Sequence, residues 1–307
     1  MLRPLKYFTF FLCLLKIATA NAQDDTNGDI ETPAKQKNWK IGMYMGAYFA
    51  NKYTASAYDG YGFDIDGKRI NDFEYSYMNE KINKEYGGNY ATIGYSPTDQ
   101  IALALGVNHG EWSFTKNDMP INMHYTPAFI FGLEGRYSVD NKNAIELNLN
   151  LAKVTCAGNF TITVVPPSGS TQINNSIQTF GIKGVEQRLM LQLGYCRILG
   201  DNENLNFLIE GGMNFTYARF GKDEILINTL KIDLTGFYDY QGLQANYTKK
   251  PGGYGLGAYA GIGFNLTMSP NYTVQLVYNP SYEGIKIVED SRLKWQHAIA
   301  LRAYYNF

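Results

Sequence analysis

The chain has 307 residues and a formal net charge of −1, so it lacks the basic excess of a nucleic-acid-binding protein. Aromatics reach 15 %, with 25 Tyr and 17 Phe beside 31 Gly, and charged residues only 18 %, a balance that suits strands with aromatic belts. No stretch holds the roughly 20 consecutive apolar residues of a spanning helix, which excludes a helical membrane protein.

Residues 1–22 stand apart. Arg3 and Lys6 make a basic start, Tyr7 to Leu15 is an apolar run too short to span, and Ala18-Thr19-Ala20 and Ala20-Asn21-Ala22 are small-x-small sites. We read a secretory signal peptide cut after Ala22, with Ala20 second. Cys13 lacks the small residues that precede a lipidated cysteine. Residues 23–37, with Asp24, Asp25, Asp29, Glu31 and Pro33, are expected to be a flexible periplasmic lead-in. Residues 38–307 form the one remaining domain.

From Trp39 the chain alternates. Trp39, Ile41, Met43, Met45, Ala47 and Phe49 oppose Lys40, Gly42, Tyr44, Gly46 and Tyr48, a period of two that predicts a strand with unlike faces. A long polar stretch to Gly88 follows, with a hairpin turn at Asp66-Gly67. Strands are predicted over Tyr90–Ser96, ended by Ser96-Pro97-Thr98-Asp99, and over Ile101–Phe114, where Ile101, Leu103, Leu105, Val107 and His109 alternate with Ala102, Ala104, Gly106, Asn108 and Gly110. The next runs from Tyr125 to Ser138, with Phe129, Phe131, Leu133 and Tyr137 outward. After a short turn, Ile145, Leu147, Leu149 and Leu151 oppose Glu146, Asn148, Asn150 and Ala152.

Residues 157–184, around Pro166-Pro167-Ser168-Gly169, suit a hairpin above the membrane. Val185–Arg197 sets Leu189, Leu191, Leu193 and Tyr195 outward. Past the turn at 199–204, Phe207, Ile209, Met213, Phe215 and Tyr217 oppose Glu210, Gly212, Asn214 and Thr216. A mixed loop covers 221–253. Tyr254–Met268, the turn Ser269-Pro270-Asn271, Tyr272–Pro280, a loop over 281–293 and Lys294–Phe307 complete the chain.

The count is ten strands, with eight or twelve as alternatives, and the connections alternate long and short. Large apolar residues on one face, with glycine, alanine and polar residues on the other, fit lipid outside and a narrow lumen inside. Rows such as Gly255, Gly257, Gly261 and Gly263 would make a poor water-facing surface. The fold class is therefore all-β: a single transmembrane antiparallel up-and-down β-barrel with short periplasmic turns and long extracellular loops. Ending on Phe307, with Tyr305 two residues before, the last strand resembles the closing strand of Gram-negative outer-membrane β-barrel proteins. That resemblance implies outer-membrane location, contact with outer-membrane lipid, and recognition of Tyr305 and Phe307 by the barrel-assembly machinery as a C-terminal assembly signal.

The inward set includes Glu134, Arg136, Glu146, Arg188, Glu210 and Arg302. Folding the hairpin after Ser138 puts Arg136 opposite Glu146. Buried charges must pair, so a lumen charge network and a largely plugged interior are expected. Cys156 and Cys196 fall near opposite rims, too far apart for a disulfide.

By length and strand number the chain also resembles the omptin proteases, and Asp64-Ile65-Asp66 matches their Asp pair. It has no Asp-x-His, however, and His124 follows Asn122-Met123, so half that site is missing. Lipid A deacylase barrels offer a second comparison: His297 faces outward, but two residues on stands Ile299 where their serine would be, and two residues after His109 stands Glu111. With neither HExxH nor CxxC, no catalytic residue, metal or cofactor is expected. Loops rich in Tyr, Asn, Asp and Lys suit recognition of an envelope protein or a glycan. The sequence thus points to a non-enzymatic outer-membrane barrel with a structural or interaction role, as the subunit of an envelope complex. A narrow channel for small solutes is the alternative, and a rim hydrolase comes third.

Overall fold

A computed structural model describes residues 39–64, 68–88, 98–166, 175–200, 202, 204–235, 252–287 and 292–306. The leader, the lead-in, the strand predicted over Tyr90–Ser96 and Phe307 lie outside the described residues. The strands are β1 (Trp39–Phe49), β2 (Trp112–Ser113), β3 (His124–Thr126), β4 (Ala128–Ser138), β5 (Asn143–Val164), β6 (Ser176–Leu199), β7 (Leu205–Ile227), β8 (Leu230–Asp233), β9 (Gly252–Ser269), β10 (Tyr272–Lys286) and β11 (Lys294–Asn306). β1 pairs with β4 on one side and β11 on the other, and the ladders β4–β5–β6–β7–β9–β10–β11 complete a closed antiparallel ring. Short β2 and β3 lie against β5, and β8 against β7.

Among the described residues eight strands close the ring, the smaller of the two alternatives to ten. One predicted strand is replaced by a helix: Gln100–Leu105 coils where Ile101–Phe114 was expected to extend. Asp99 caps it, accepting the Ala102 amide at 2.8 Å, and Gly106 ends it at φ 73°. Leucine and alanine are strong helix formers, so an aspartate before them and a glycine after them outweigh a short alternation.

The short connections after β4, β6 and β9 lie at the end where β1 begins and β11 finishes. Asn306 donates to the Asn271 carbonyl at 2.9 Å, and Ile198 to that of Lys142 at 2.7 Å. The longer connections emerge at the other end. Between the two ends the exterior is apolar: Leu147, Leu149 and Leu151 stand opposite Leu193, Leu191 and Leu189, with Leu147 50 % and Leu191 41 % exposed. Aromatic pairs edge this band. Trp39–Tyr137 and Tyr272–Tyr305, with ring centroids 5.1 and 5.3 Å apart, mark the turn end, and Tyr217–Tyr254 and Tyr282–Trp295, at 5.1 and 5.0 Å, the loop end. A closed ring with no free edge, a greasy exterior and two aromatic girdles is a membrane-spanning β-barrel.

β5, β6 and β7 have 22, 24 and 23 residues and outrun the band. Past it, their polarity inverts. Outward positions become Lys153, Asn159, Gln187, Lys183, Arg219 and Lys222, all exposed. Inward positions become Val154, Cys156, Phe160, Ile162, Ile182, Phe220 and Ile225, all buried. The β6–β7 register shifts between Val185 and Glu186, where Gly221 is the extra residue on β7. The hairpin expected above the membrane is thus present, and it forms one wall of an extracellular head.

The described residues between β1 and β3 fill the hollow of that wall. They form a 3-10 helix over Lys52–Tyr58, another over Phe73–Tyr75, and a helix over Tyr77–Asn79 that continues as a π-turn over Glu80–Glu85, before Gln100–Leu105. Ala55, Tyr58, Met78, Ile82, Ile101, Phe114 and Met123 are buried there. Tyr58 stacks on Phe220 at 4.5 Å, and Phe114 meets Phe160 edge-on at 6.1 Å.

Candidate functional site

Inside the barrel, alternation fixes which side chains meet. Near the turn end, Arg136 stands opposite Glu146 in register, and its Nη2 donates to Glu146 Oε2 at 3.0 Å and to Gln275 Oε1 at 3.2 Å. Tyr259 donates to the other Glu146 oxygen at 3.0 Å. Arg302 binds Glu210 through both terminal nitrogens, with Nη2 to Oε1 at 2.8 Å, and its Nε lies 2.9 Å from Glu134 Oε1. Tyr304 donates to Glu134, and Asn279 to Glu210 at 2.8 Å. Arg136 also lies over the Tyr304 ring at 4.6 Å, and Arg302 over Tyr44 at 5.4 Å. Five of the six predicted charges, Glu134, Arg136, Glu146, Glu210 and Arg302, therefore share one buried network.

The sixth, Arg188, belongs to a second cluster nearer the loop end. Its Nε donates to Glu186 Oε1 at 2.6 Å, Nη1 to the Tyr48 hydroxyl at 2.9 Å, and Nη2 to Thr54 Oγ1 at 3.1 Å. Tyr125 donates to Glu186 Oε2 at 2.6 Å, and the Asn51 amide to Gln296 Oε1 at 2.6 Å. Thr54 and Asn51 belong to the connection after β1, so this arginine ties the head to the barrel wall. Gly184 leaves room for that contact: a Cβ there would come within 2.2 Å of the Tyr58 ring.

Sequence reasoning missed Glu186 and Glu283. Glu186 lies two residues before Arg188 and so on the same strand face, a signal that was available. Glu283, which accepts from Thr216 at 2.6 Å and Asn214 at 2.7 Å, was hidden because Pro280 was read as a strand end; β10 runs on to Lys286. Tyr305 lies in the outward girdle against Tyr272.

Cys156 and Cys196 are both free and buried. Cys156 pairs in register with Gly184, far along β6 from Cys196, as the strand map expects. Ligand atoms of Glu146, Cys196 and Glu210 lie within 4.8 Å of one another. Both carboxylates already accept from guanidinium groups, so the donor set is satisfied by cations of the chain itself and does not fit a metal.

Asp64, half of the omptin-like pair, accepts the Lys68 amide at 2.8 Å within a turn; Ile65 and Asp66 lie outside the described residues. His109 sits beyond the Gln100–Leu105 helix, not on a strand. Its Nδ1 is 2.9 Å from Asp99 Oδ2, which also accepts from Trp112 Nε1 at 2.8 Å. With its carboxylate shared among a helix cap, an indole and an imidazole, Asp99 is a structural hub. His297 stacks on Tyr278 and bonds its hydroxyl at 2.8 Å at the rim.

Ring, girdles and a paired-charge interior together define a β-barrel membrane protein of the outer-membrane type. No family model and no curated protein matches the chain. Among solved structures it is similar to Neisserial surface protein A, at 6 % identity and a TM-score of 0.39, over 89 % of this chain and 98 % of that one. It is similar to Ail, the attachment invasion locus protein of Yersinia pestis, at 10 % identity and a TM-score of 0.35, over 89 % and 100 %. A third is the outer membrane protease OmpT of Escherichia coli, at 10 % identity and a TM-score of 0.32, over 90 % and 99 %. Likenesses this distant carry no argument about function, and the barrel stands on its own ring and exterior.

Proposed function

We propose that the chain is a non-enzymatic, non-conducting outer-membrane barrel whose task is to hold a folded recognition head outside the cell. The observation that carries this reading is the head itself. Three strands leave the lipid band, reverse their polarity and bury an apolar core, far more structure than closing a pore requires. The Arg188 cluster supports a plugged lumen, since it joins Glu186, Tyr48 and Gln296 of the wall to Thr54 of the head. The head's surface suits an envelope protein or a glycan. A cleft of about 430 Å³ is lined by Lys52, Tyr53, Ser56, Ile121 and His124 among others, and Tyr75 and Ile121 are 70 % and 85 % exposed. Aromatic rings beside polar groups are the usual means of such recognition.

Tyr305 and Phe307 serve in this reading as the signal for the barrel-assembly machinery, and the leader as the export signal. Purified protein in planar bilayers tests the proposal. It is expected to give no steady unitary current while a stoichiometric partner co-purifies from native membranes. Regular single-channel steps would favour a narrow solute channel instead.

A further inference from the structure

Asp223, on β7 in the head, is an exception. Every other acid buried among the described residues accepts from a charged, hydroxyl or amide donor. Asp223 is 4 % exposed, and its Oδ1 is closed off from solvent with no partner. A buried carboxylate left in that state is costly.

β5, β6 and β7 carry Cys156, Gly184 and Asp223 side by side in register on the inward face. Because Gly184 has no side chain, the Tyr58 ring fills the space over it, and the next residue, Asp59, arrives with it. Burial and the negative charges of Asp59, Asp233 and Glu224 push the Asp223 carboxyl well above its usual range. Glu224 faces outward, where Lys231 holds it at 2.9 Å and Lys183 stands opposite in register. Asp233 is exposed and accepts the Thr235 amide at 2.8 Å. The inward pair is therefore Asp223 and Asp59, with Arg69 bound to Asp59.

A proton would cancel the charge of Asp223 but leave its buried Oδ1 without a bond. A small hard cation answers both needs, and Ca2+ takes carboxylate oxygens in irregular geometry. Asp59 can share it: Oδ2 holds Arg69, while Oδ1 accepts the Tyr61 amide at 3.2 Å and has a lone pair to spare. Asp59 also lines the 430 Å³ cleft, so an ion has a way in from water. In the Glu146, Cys196 and Glu210 group, by contrast, guanidinium groups already serve the carboxylates.

We propose that Asp223 and Asp59 hold a calcium ion that clasps β7 to the Lys52–Tyr58 segment and closes the head. The ion does this whatever the head recognises.

Calorimetric titration of the full chain, refolded in zwitterionic detergent without lipopolysaccharide and stripped with EDTA, reads the site. The wild type is expected to take up one Ca2+ per chain at about 0.1–1 mM. Asp223→Asn, which keeps the size of the neutral acid, is expected to lose the uptake. Glu224→Gln, which removes an outward acid of the same strand, is expected to retain it. A wild type that binds no Ca2+ while its head stays folded, an Asp223→Asn chain that binds as before, or a folded Glu224→Gln chain that does not would each overturn the site. Should Asp223→Asn fail to fold, amide exchange in the wild type decides. At about ten times the dissociation constant, Ca2+ must slow exchange in Gly221–Ile227 and Lys52–Tyr58 by about tenfold and leave Ala128–Ser138 unchanged; an absent or uniform slowing refutes the proposal.

Discussion

Arg302 is fully buried and serves two carboxylates at once, Glu210 and Glu134. Replacing it with Met leaves both anions without their cation, at a cost of about 3–5 kcal/mol. In urea titrations of the refolded barrel, Arg302→Met is expected to unfold at a clearly lower midpoint, with Arg302→Met/Glu210→Gln recovering part of the loss. An unchanged midpoint for the single variant would show that the network does not hold the barrel together. A second residue-scale test concerns Asp59 in the head. Burial pushes its carboxyl above the usual range, against the pull of the neighbouring Arg69 guanidinium. An acid with a raised folded pKa stabilises the fold most when protonated. The contribution of Asp59 is therefore complete at low pH and is lost as pH rises from the unfolded carboxylate value through the folded one. Amide exchange in Lys52–Tyr58, corrected for intrinsic rates, should accelerate across that window in the wild type and lose the dependence in Asp59→Asn; identical profiles would remove Asp59 from the account. At this scale the sequence is legible where a hairpin turn fixes the count, as for Arg136 opposite Glu146. It is illegible where the partner comes from a distant strand, as for Arg302 and Glu210.

The helix at Gln100–Leu105 shows why elements are harder to read than residues. Ile-Ala-Leu-Ala-Leu alternates like a strand, yet its residues favour a helix, and the decisive signals lie at its flanks, in Asp99 and Gly106. Asp99→Ala is expected to cost about 1 kcal/mol through the cap alone, and more because Trp112 and His109 lose their acceptor. Unchanged stability of the head in limited proteolysis would deny Asp99 that role. β5, β6 and β7 teach a related lesson. Their lower halves were plain in the sequence because lipid and lumen are uniform surroundings that repeat every second residue. Their upper halves obey the same period with the faces exchanged, and a search for one apolar face reads that exchange as an end. The head's core was hidden for another reason, since the connection after β1 contributes Ala55, Met78, Ile82 and Ile101 one at a time from a polar background. Gly184 is the contact that lets this connection seat. Gly184→Val is expected to push Tyr58 out of place, expose Lys52–Tyr58 to protease and admit leak currents in bilayers; a variant as resistant and silent as the wild type would show that the head seats by other contacts.

For the whole molecule, the strands are organised by a change of surroundings along their own length. Below Leu151, Leu189 and Tyr217 they look out on lipid and in on paired charges; above, they look out on water and in on the Arg188–Glu186 pair and then a largely apolar core. Among the described residues eight strands close the ring: Gln100–Leu105, expected to extend, helps build the head instead, and Tyr90–Ser96 lies outside the described residues. Spin labels on cysteines introduced at Leu147, Leu191, Asn159 and Thr179 would test this organisation most directly, since the native Cys156 and Cys196 are buried. In reconstituted protein, labels at 147 and 191 are predicted to collide with oxygen and be shielded from an aqueous nickel chelate, and those at 159 and 179 to show the reverse. Labels at 147 and 191 that meet the chelate freely, or neither quencher, would contradict it.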